Sequence, residues 1–442
     1  MQAVNWCLFF ILNSLFLVFL ITCIVEREGR AAIFGILGLL GNSTIWIGFI
    51  LFSHLQVVYW ANVVFYVSLG ILVLVSVVKF FPEMESRDFS SVEKYDERDH
   101  MFSRNILQFN PHLANKYYSA NPEKEDVDRK IHKKPELGEP DHLFYDPYRS
   151  PIFKAAFDYL IRTRDIAWGA VATKKIAVDR GKITKAIIGA ARLYGACDVS
   201  VTQLRPYHFY THRGRHEKGW GEEIHNSHRS AIVIVVPMDV KMMKFAPGLP
   251  TIQESAHQYV EAAKIADILA QYLRSFGYDA RSHKDSNYET LCVPLAIDSG
   301  LGVLGRLGIF MHHELGPCVR LSIVTTEMEL APTQNHPVDK SPEHFCKICK
   351  KCADNCPVQA INGEEETSSR GFRHWTIDQE KCYSFWKSVG TDCGMCIRVC
   401  PYTKPNTFIH KLIRFYVSRN SFNQRLALFF DDLVYGRNFK FQ

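Results

Sequence analysis

No Arg-Arg pair occurs anywhere in the 442 residues, and no Lys or Arg precedes Arg27. The first absence leaves no twin-arginine export signal, and the second leaves no basic n-region for a cleaved signal peptide. Charge of one sign is also scarce: 52 Lys and Arg against 46 Asp and Glu give a net +6, too little to argue for a nucleic-acid surface. No disulfide framework is evident, because Cys7, Cys23, Cys197, Cys292 and Cys318 are scattered without a pairing pattern, which suits a reducing compartment. Outside the other eight cysteines there is no internal repeat.

What the N-terminus does contain is uninterrupted apolar sequence. Val4 to Val25, Ala31 to Phe52 and Val57 to Val78 are runs of 22 residues without Asp, Glu, Lys or Arg. Each is long enough to cross a hydrocarbon core of about 30 Å as a helix. Buried core helices are the alternative, but three in succession without a charged face do not fit a soluble core. Arg27 and Arg30 lie between the first two runs and Lys79 follows the third, whereas Ser53 to Gln56 has no basic residue. By the positive-inside rule this predicts a multi-pass cell-membrane protein with its N-terminus outside and everything after residue 80 in the cytoplasm. His54 stands alone in a loop, so no histidine pair offers a haem site, and the helices read as an anchor in the lipid bilayer.

The eight grouped cysteines form two nested runs, Cys346-x2-Cys349-x2-Cys352-x3-Cys356-Pro357 and Cys382-x10-Cys393-x2-Cys396-x3-Cys400-Pro401. This is the spacing of a two-cluster bacterial ferredoxin module, in which three thiolates hold one cubane and the fourth reaches the other. It predicts two 4Fe-4S clusters with crossed ligation: Cys346, Cys349, Cys352 and Cys400 for one, Cys382, Cys393, Cys396 and Cys356 for the other. Zinc prefers two separated pairs, which this spacing does not resemble. The ten-residue gap after Cys382 requires Tyr383 to Asp392 to loop out. Such clusters are assembled in the cytosol, which agrees with the orientation read from the loops.

Between these ends the pattern predicts five parts: a three-helix anchor over 1–82, an extended surface-wrapping segment over 83–150, a central domain over 151–335, the cluster domain over 336–405 and a tail over 406–442. The 83–150 segment is polar and punctuated by proline. In the central domain Lys182 to Tyr194 and Ile252 to Phe276 have helical periodicity, the latter ending at Gly277. Ala231 to Pro237 is a continuous β-branched run suited to a buried strand. Val319 to Thr325 alternates, with Val319, Leu321 and Ile323 on one face and Arg320, Ser322 and Val324 on the other. This mixture predicts an α/β or α+β domain. The tail is aromatic and basic, with Lys411, Arg414, Arg419 and Arg425, and its pattern fits equally a cover for the clusters or a membrane-surface segment.

Several residues invite chemistry. Gly300-x-Gly302-x2-Gly305 matches the dinucleotide string, but Arg306 and Gly308 follow and Pro317 interrupts, so no Rossmann unit is formed around it. A turn that lets the backbone approach a large flat cofactor fits better. His312-His313-Glu314 suggests zinc, yet Pro317 occupies the last position of the HExxH pattern. The DxHxxG string that brings a histidine to cobalt in many corrinoid proteins is likewise missing, with Met311 where its Asp would be. Tyr259 is surrounded at helical spacing by Ser255, Ala262, Ala263 and Ala266, small enough for a flat ligand to lie close. A core tyrosine has the same pattern. Arg320 in an otherwise apolar strand needs either an ion-pair partner or a site.

The ordered set of features resembles the corrinoid-dependent reductive dehalogenases. The matching segments are Asp96-Glu97-Arg98-Asp99 with Phe102 and Arg104, the Tyr259 helix running into Leu273-x3-Gly277-Tyr278, Val293 to Arg306, Gly316-Pro317-x-Val319-Arg320-Leu321, and the cysteine array. The resemblance implies a nitroreductase-like domain enclosing a base-off cobalamin or related corrinoid, fused to a two-cluster ferredoxin-like domain. It implies the cofactor-binding turn Gly300, Gly302, Gly305 and Arg306. It also implies Tyr259 as proton donor with Asn287 and Arg320 beside it, the guanidinium lowering the tyrosine pKa from about 10. The implied reaction replaces a carbon-bound halogen of an organic small molecule by hydrogen, with electrons from a ferredoxin, a flavodoxin or a quinol-linked membrane partner. Respiratory members usually carry a twin-arginine signal and use a separate anchor protein; here the anchor is fused and the signal missing, which favours a cytoplasm-facing reductase. Two rival readings are an epoxyqueuosine reductase acting on tRNA, which the membrane spans and near-neutral charge oppose, and a membrane electron carrier without enzymatic activity, which the Tyr259 and Arg320 segments oppose.

Overall fold

The three uncharged runs fold as helices α1 (Gln2–Val25), α2 (Gly29–Leu51) and α3 (Gln56–Val77) in a computed structural model that describes residues 2–81, 92–285, 287–333, 339–364, 367–369 and 372–438. At 1.5 Å per residue each is about 33 Å long or more, enough to cross a bilayer. Their apolar side chains point outward, while polar ones turn in: Ser43 donates to Asn13 Oδ1 at 2.8 Å, and Tyr66 donates to the buried Asn5. That inversion of the water-soluble pattern is what a lipid solvent selects.

The chain divides into two compact units, one formed by 1–84 with 405–442 and the other by 85–404. The second unit begins differently from the sequence expectation of an extended segment. Helices α4 (Met101–Ile106), α5 (Pro111–Ala120) and α6 (Pro122–His132) form there. The prolines read as breaks occupy first-turn positions instead, where the missing N–H costs nothing, and Asn110 caps α5 by accepting from Leu113 N at 3.1 Å. Arg104 on α4 is fully buried and is held by both oxygens of Asp128 on α6, at 3.0 and 2.6 Å, and by Glu380 at 2.8 Å. Replacing Arg104 with Met strands the buried Asp128 carboxylate. The expected cost is about 3–5 kcal/mol, read as a fall in the midpoint of chemical unfolding of the full chain in detergent.

The central domain follows. Helices α7 (Ser150–Arg162) and α8 (Arg180–Leu193) precede strands β1 (Asp198–Gln203) and β2 (Ser230–Pro237). Then come α9 (Val240–Met243), the long α10 (Leu249–Ser275), β3 (Ala280–His283), α11 (Cys292–Asp298), the hairpin β4 (Gly302–Leu304) and β5 (Phe310–His312), and β6 (Val319–Thr326). A four-stranded sheet has order β1-β2-β6-β3 with every neighbouring pair antiparallel, so the domain is α+β. Its alternating side chains feed two cores. Ile232, Ile234 and Val324 meet α8 and α10 on one face, and Val233, Val235 and Ile323 meet α11 and the hairpin on the other. Register pairs Val236 with Arg320, which sets Arg320 on the α10 face near the end of β2.

The cysteine region folds as α12 (Ser341–Cys349), α13 (Lys351–Asp354), α14 (Gln379–Val389) and α15 (Met395–Arg398). In the tail, α16 (Phe408–Val417) and α17 (Ser421–Tyr435) form a hairpin that belongs to the unit of α1–α3.

Candidate functional site

Tyr259 and Ser255 are one turn apart on α10, and the sheet beneath presents Arg320 to both. Arg320 Nη2 donates to Ser255 Oγ at 2.5 Å, and the guanidinium carbon lies 4.8 Å from the Tyr259 ring centroid. A third group was not foreseen: Asp392 places a carboxylate oxygen 3.6 Å from Arg320 Nη2 and takes a hydrogen bond from Ser255. Asp392 precedes Cys393, so the arginine is tied to the cysteine array through one residue. Burial pushes the Tyr259 phenol above its ordinary value, and the Arg320 charge offsets only part of this. The expectation of a lowered tyrosine pKa is thus corrected, because desolvation of the phenolate outweighs the guanidinium here. Burial likewise raises Asp392 against the pull of Arg320.

These groups line a cavity of about 620 Å³ with apolar walls that include Phe153, Phe157 and Ile252. A second cavity of about 530 Å³ is lined by Val293, Pro294, Leu304, Trp375 and Cys382 among others. Phe102, Tyr383 and Trp386 belong to both walls. The two adjoin across these shared side chains as a double cavity whose summed volume exceeds that of ordinary small-molecule pockets. A large flat group fits that combination of volume and aromatic walls.

Tyr383 and Trp386 fall in the stretch expected to loop out after Cys382. That expectation is corrected as well: most of the stretch is α14, with Cys382 in its second turn, and the chain returns through Gly390 in the left-handed region at φ 77°. The long spacing encodes two helical turns that carry the shared aromatic wall. Its signal was the apolar pair Tyr383 and Trp386 at i, i+3.

Asn287 is not on the cavity wall. Its Oδ1 accepts from Arg281 Nη2 and its Nδ2 donates to the Arg164 carbonyl, both at 2.8 Å, so its amide is committed to holding the loop. Asp285 and Arg215 take the place expected for it on the lining.

The glycine turn is also placed differently. An added Cβ on Gly302 would stand 2.0 Å from the Met311 carbonyl oxygen, and one on Gly305 would stand 2.3 Å from Met311 Sδ. These glycines let β4 and β5 close on each other, and Gly300 supplies a φ of 85° before them. None of the three lines either cavity, whereas Leu304 and Gly308 do. Arg306 points into the cluster domain, donating to the carbonyls of Cys346 at 2.9 Å, Asn362 at 3.0 Å and Glu364 at 2.6 Å.

Cys346, Cys349, Cys352 and Cys400 surround one small void with Arg306 and Leu307. Cys382, Cys393, Cys396 and Cys356 lie within electrostatic reach of one another. Burial pushes the Cys382, Cys393 and Cys396 thiols up, Cys382 to about 11. A thiolate at such depth needs a cation beside it, which iron supplies.

His312 and His313 gather with Asp198. His312 Nδ1 accepts from Glu314 N and Leu315 N at 3.2 and 3.3 Å, which leaves its proton on Nε2, donated to Asp198 at 3.2 Å. A ring in that tautomer offers no lone pair to a metal at Nε2, so the cluster is a structural hydrogen-bond network.

Residues 345–404 match the family model of the 4Fe-4S dicluster domain. Over 221 residues the chain is 34% identical to a tetrachloroethene reductive dehalogenase of Sulfurospirillum multivorans, covering 48% of this chain and 43% of that protein. Among solved structures, a catabolic reductive dehalogenase in complex with 3-bromo-4-hydroxybenzoic acid superposes with a TM-score of 0.65 at 20% identity, covering 82% of this chain and 50% of the other. A reductive dehalogenase structure that suggests a mechanism for B12-dependent dehalogenation superposes with the same TM-score, identity and coverage. The alignment spans less than half the length of the curated relative. The resemblance read from the residues is thereby upheld in sequence, and the nitroreductase-like domain joined to a ferredoxin-like one is upheld in fold.

Proposed function

We propose that the chain is a membrane-anchored, cytoplasm-facing reductive dehalogenase that replaces a carbon-bound halogen by hydrogen. The observation that carries this is the half-buried Tyr259–Arg320 pair at one lobe of a double cavity whose other lobe is bordered by Cys382. The net reaction is R–X with two electrons and one proton giving R–H and halide. Two 4Fe-4S clusters with the crossed ligand sets read from the spacing and a base-off corrinoid in the double cavity would supply the electrons and the low-potential reducing centre.

The chain's own residues then have definite work. Phe102, Tyr383 and Trp386 would hold the flat face of the cofactor, and Phe153, Phe157 and Ile252 keep water from an apolar organohalide beside Tyr259. The Tyr259 hydroxyl delivers the proton to carbon as the halide leaves. Arg320 faces the resulting phenolate, and Ser255 and Asp392 hold the guanidinium over the ring. The electron donor is a low-potential ferredoxin, flavodoxin or quinol-linked partner reaching the cluster domain, and no nucleic acid is involved.

The full chain purified from membranes with corrinoid supplied is expected to show a bound-corrinoid spectrum beside the iron-sulfur absorption. With a low-potential donor it should release halide from halogenated phenols. Purified protein that retains iron and never binds corrinoid would remove the reading.

A further inference from the structure

We infer that the α16–α17 hairpin is an interfacial membrane element that lies among the acidic lipid headgroups around the three-helix anchor. The inference rests on α1–α3 being membrane spans. Their ends fix where the hairpin sits. A helix leaves its last carbonyls unsatisfied, and those of α3 are taken by the tail: Asn420 Nδ2 donates to Val75 and Val78 carbonyls at 2.8 and 3.0 Å, and Asn423 Nδ2 to that of Ser76 at 3.0 Å. Phe80 N donates to the Arg419 carbonyl at 2.8 Å. At the turn after α1, His410 Nε2 pairs with Glu26 at 3.0 Å. Both contacts lie at the same end of the bundle, the end that carries Arg27, Arg30 and Lys79. The hairpin is therefore held where the hydrocarbon ends and the headgroups begin.

Its outward surface matches that depth. On α16 the inner face buries Ile409, His410 and Val417, while Phe408, Leu412 and Phe415 recur at i, i+4, i+7 on the outer face with Lys411 beside them. On α17 the inner face buries Asn423 and Gln424, while Phe422, Phe429 and Leu433 form the outer stripe with Arg425 beside it. Phe408 is 72% exposed and Phe429 61%, which water would not favour for two parallel aromatic stripes. A basic flank next to an aromatic stripe is the pattern of helices that lie in the interface plane and engage anionic lipid.

The test uses the full chain carrying the photoreactive residue benzoylphenylalanine at Phe415 or Phe429, reconstituted in phosphatidylcholine vesicles with and without phosphatidylglycerol. The same residue at Leu40, exposed on α2, reports the spans, and at the buried Ile409 it reports the background. Illumination is expected to give lipid adducts at Phe415, Phe429 and Leu40 but not at Ile409. At the two tail positions phosphatidylglycerol should be enriched about fivefold over its share of the bilayer, an enrichment lost in Lys411→Gln with Arg425→Gln. Adducts to a second copy of the chain, or none with lipid at either tail position while Leu40 reacts, would overturn the inference. Lipid adducts without enrichment would overturn its anionic specificity, and an unreactive Leu40 would overturn the membrane spans themselves.

Discussion

Tyr259→Phe is expected to lower halide release by roughly 10²–10⁴-fold, the range that a positioned proton donor contributes, while iron and corrinoid contents stay unchanged. Phenylalanine keeps the ring that Arg320 covers, so the cavity wall and the packing against Phe157 survive. Only the transferable proton is lost. The pH dependence provides a second reading of the same residue. A donor acts while protonated, and burial raises the Tyr259 pKa above the ordinary phenol value near 10. Activity limited by this group should therefore persist as pH rises through that value and decline only above it. Arg320→Met removes the one charge on the cavity that pulls the phenol down most. Its alkaline limb should move further up, and its rate should fall because the phenolate left by proton transfer has lost its counter-charge. A phenylalanine variant with full turnover would exclude Tyr259 as the donor.

Both members of that pair stand out on long, strongly periodic elements, but only the family resemblance joins them into a site. Tyr259 is on a helix whose small residues mark one face, and Arg320 is the odd residue in an alternating strand. Residues that complete the site come from irregular backbone and from distant sequence. Asp392 reaches Arg320 from a three-residue return between α14 and Cys393, 72 positions away in the chain by its number, and nothing local distinguishes it from a surface aspartate. Glycine was misleading for a physical reason. A glycine string reports only that some atom comes too close for a Cβ, and here that atom is Met311 of the facing strand. Proline misled in the same manner over 111–132, where a residue that ends helices also starts them. Arg306 closes the string that the resemblance makes a cofactor-binding turn, whereas its fork meets four carbonyls of the cluster domain.

Cys382→Ala should remove one cluster and leave the other, because the two ligand sets draw on different cysteines. Iron per chain is expected to fall by about half, and the reduced protein should lose the magnetic coupling between two paramagnetic clusters while keeping the spectrum of one. Halide release should drop below detection if that cluster is the one nearest the double cavity, since Cys382 borders the cavity lobe directly. Cys382 occupies a helix instead of the usual tight Cys-x2-Cys turn, and the helix is held independently: Glu380 by Arg104 at 2.8 Å, Lys387 by Glu136 at 2.7 Å, and Gly390 N by the Trp386 carbonyl at 2.8 Å. The alanine variant should therefore fold, with a chemical unfolding midpoint much closer to the parent's than that of Arg104→Met. Full iron content in this variant would show that Cys382 holds no iron, and that the second cluster takes its fourth ligand elsewhere. Full turnover with half the iron would place that cluster off the electron path. Either result would separate the role of the cysteine from that of Tyr383 and Trp386, which stand one and four residues further along the same helix.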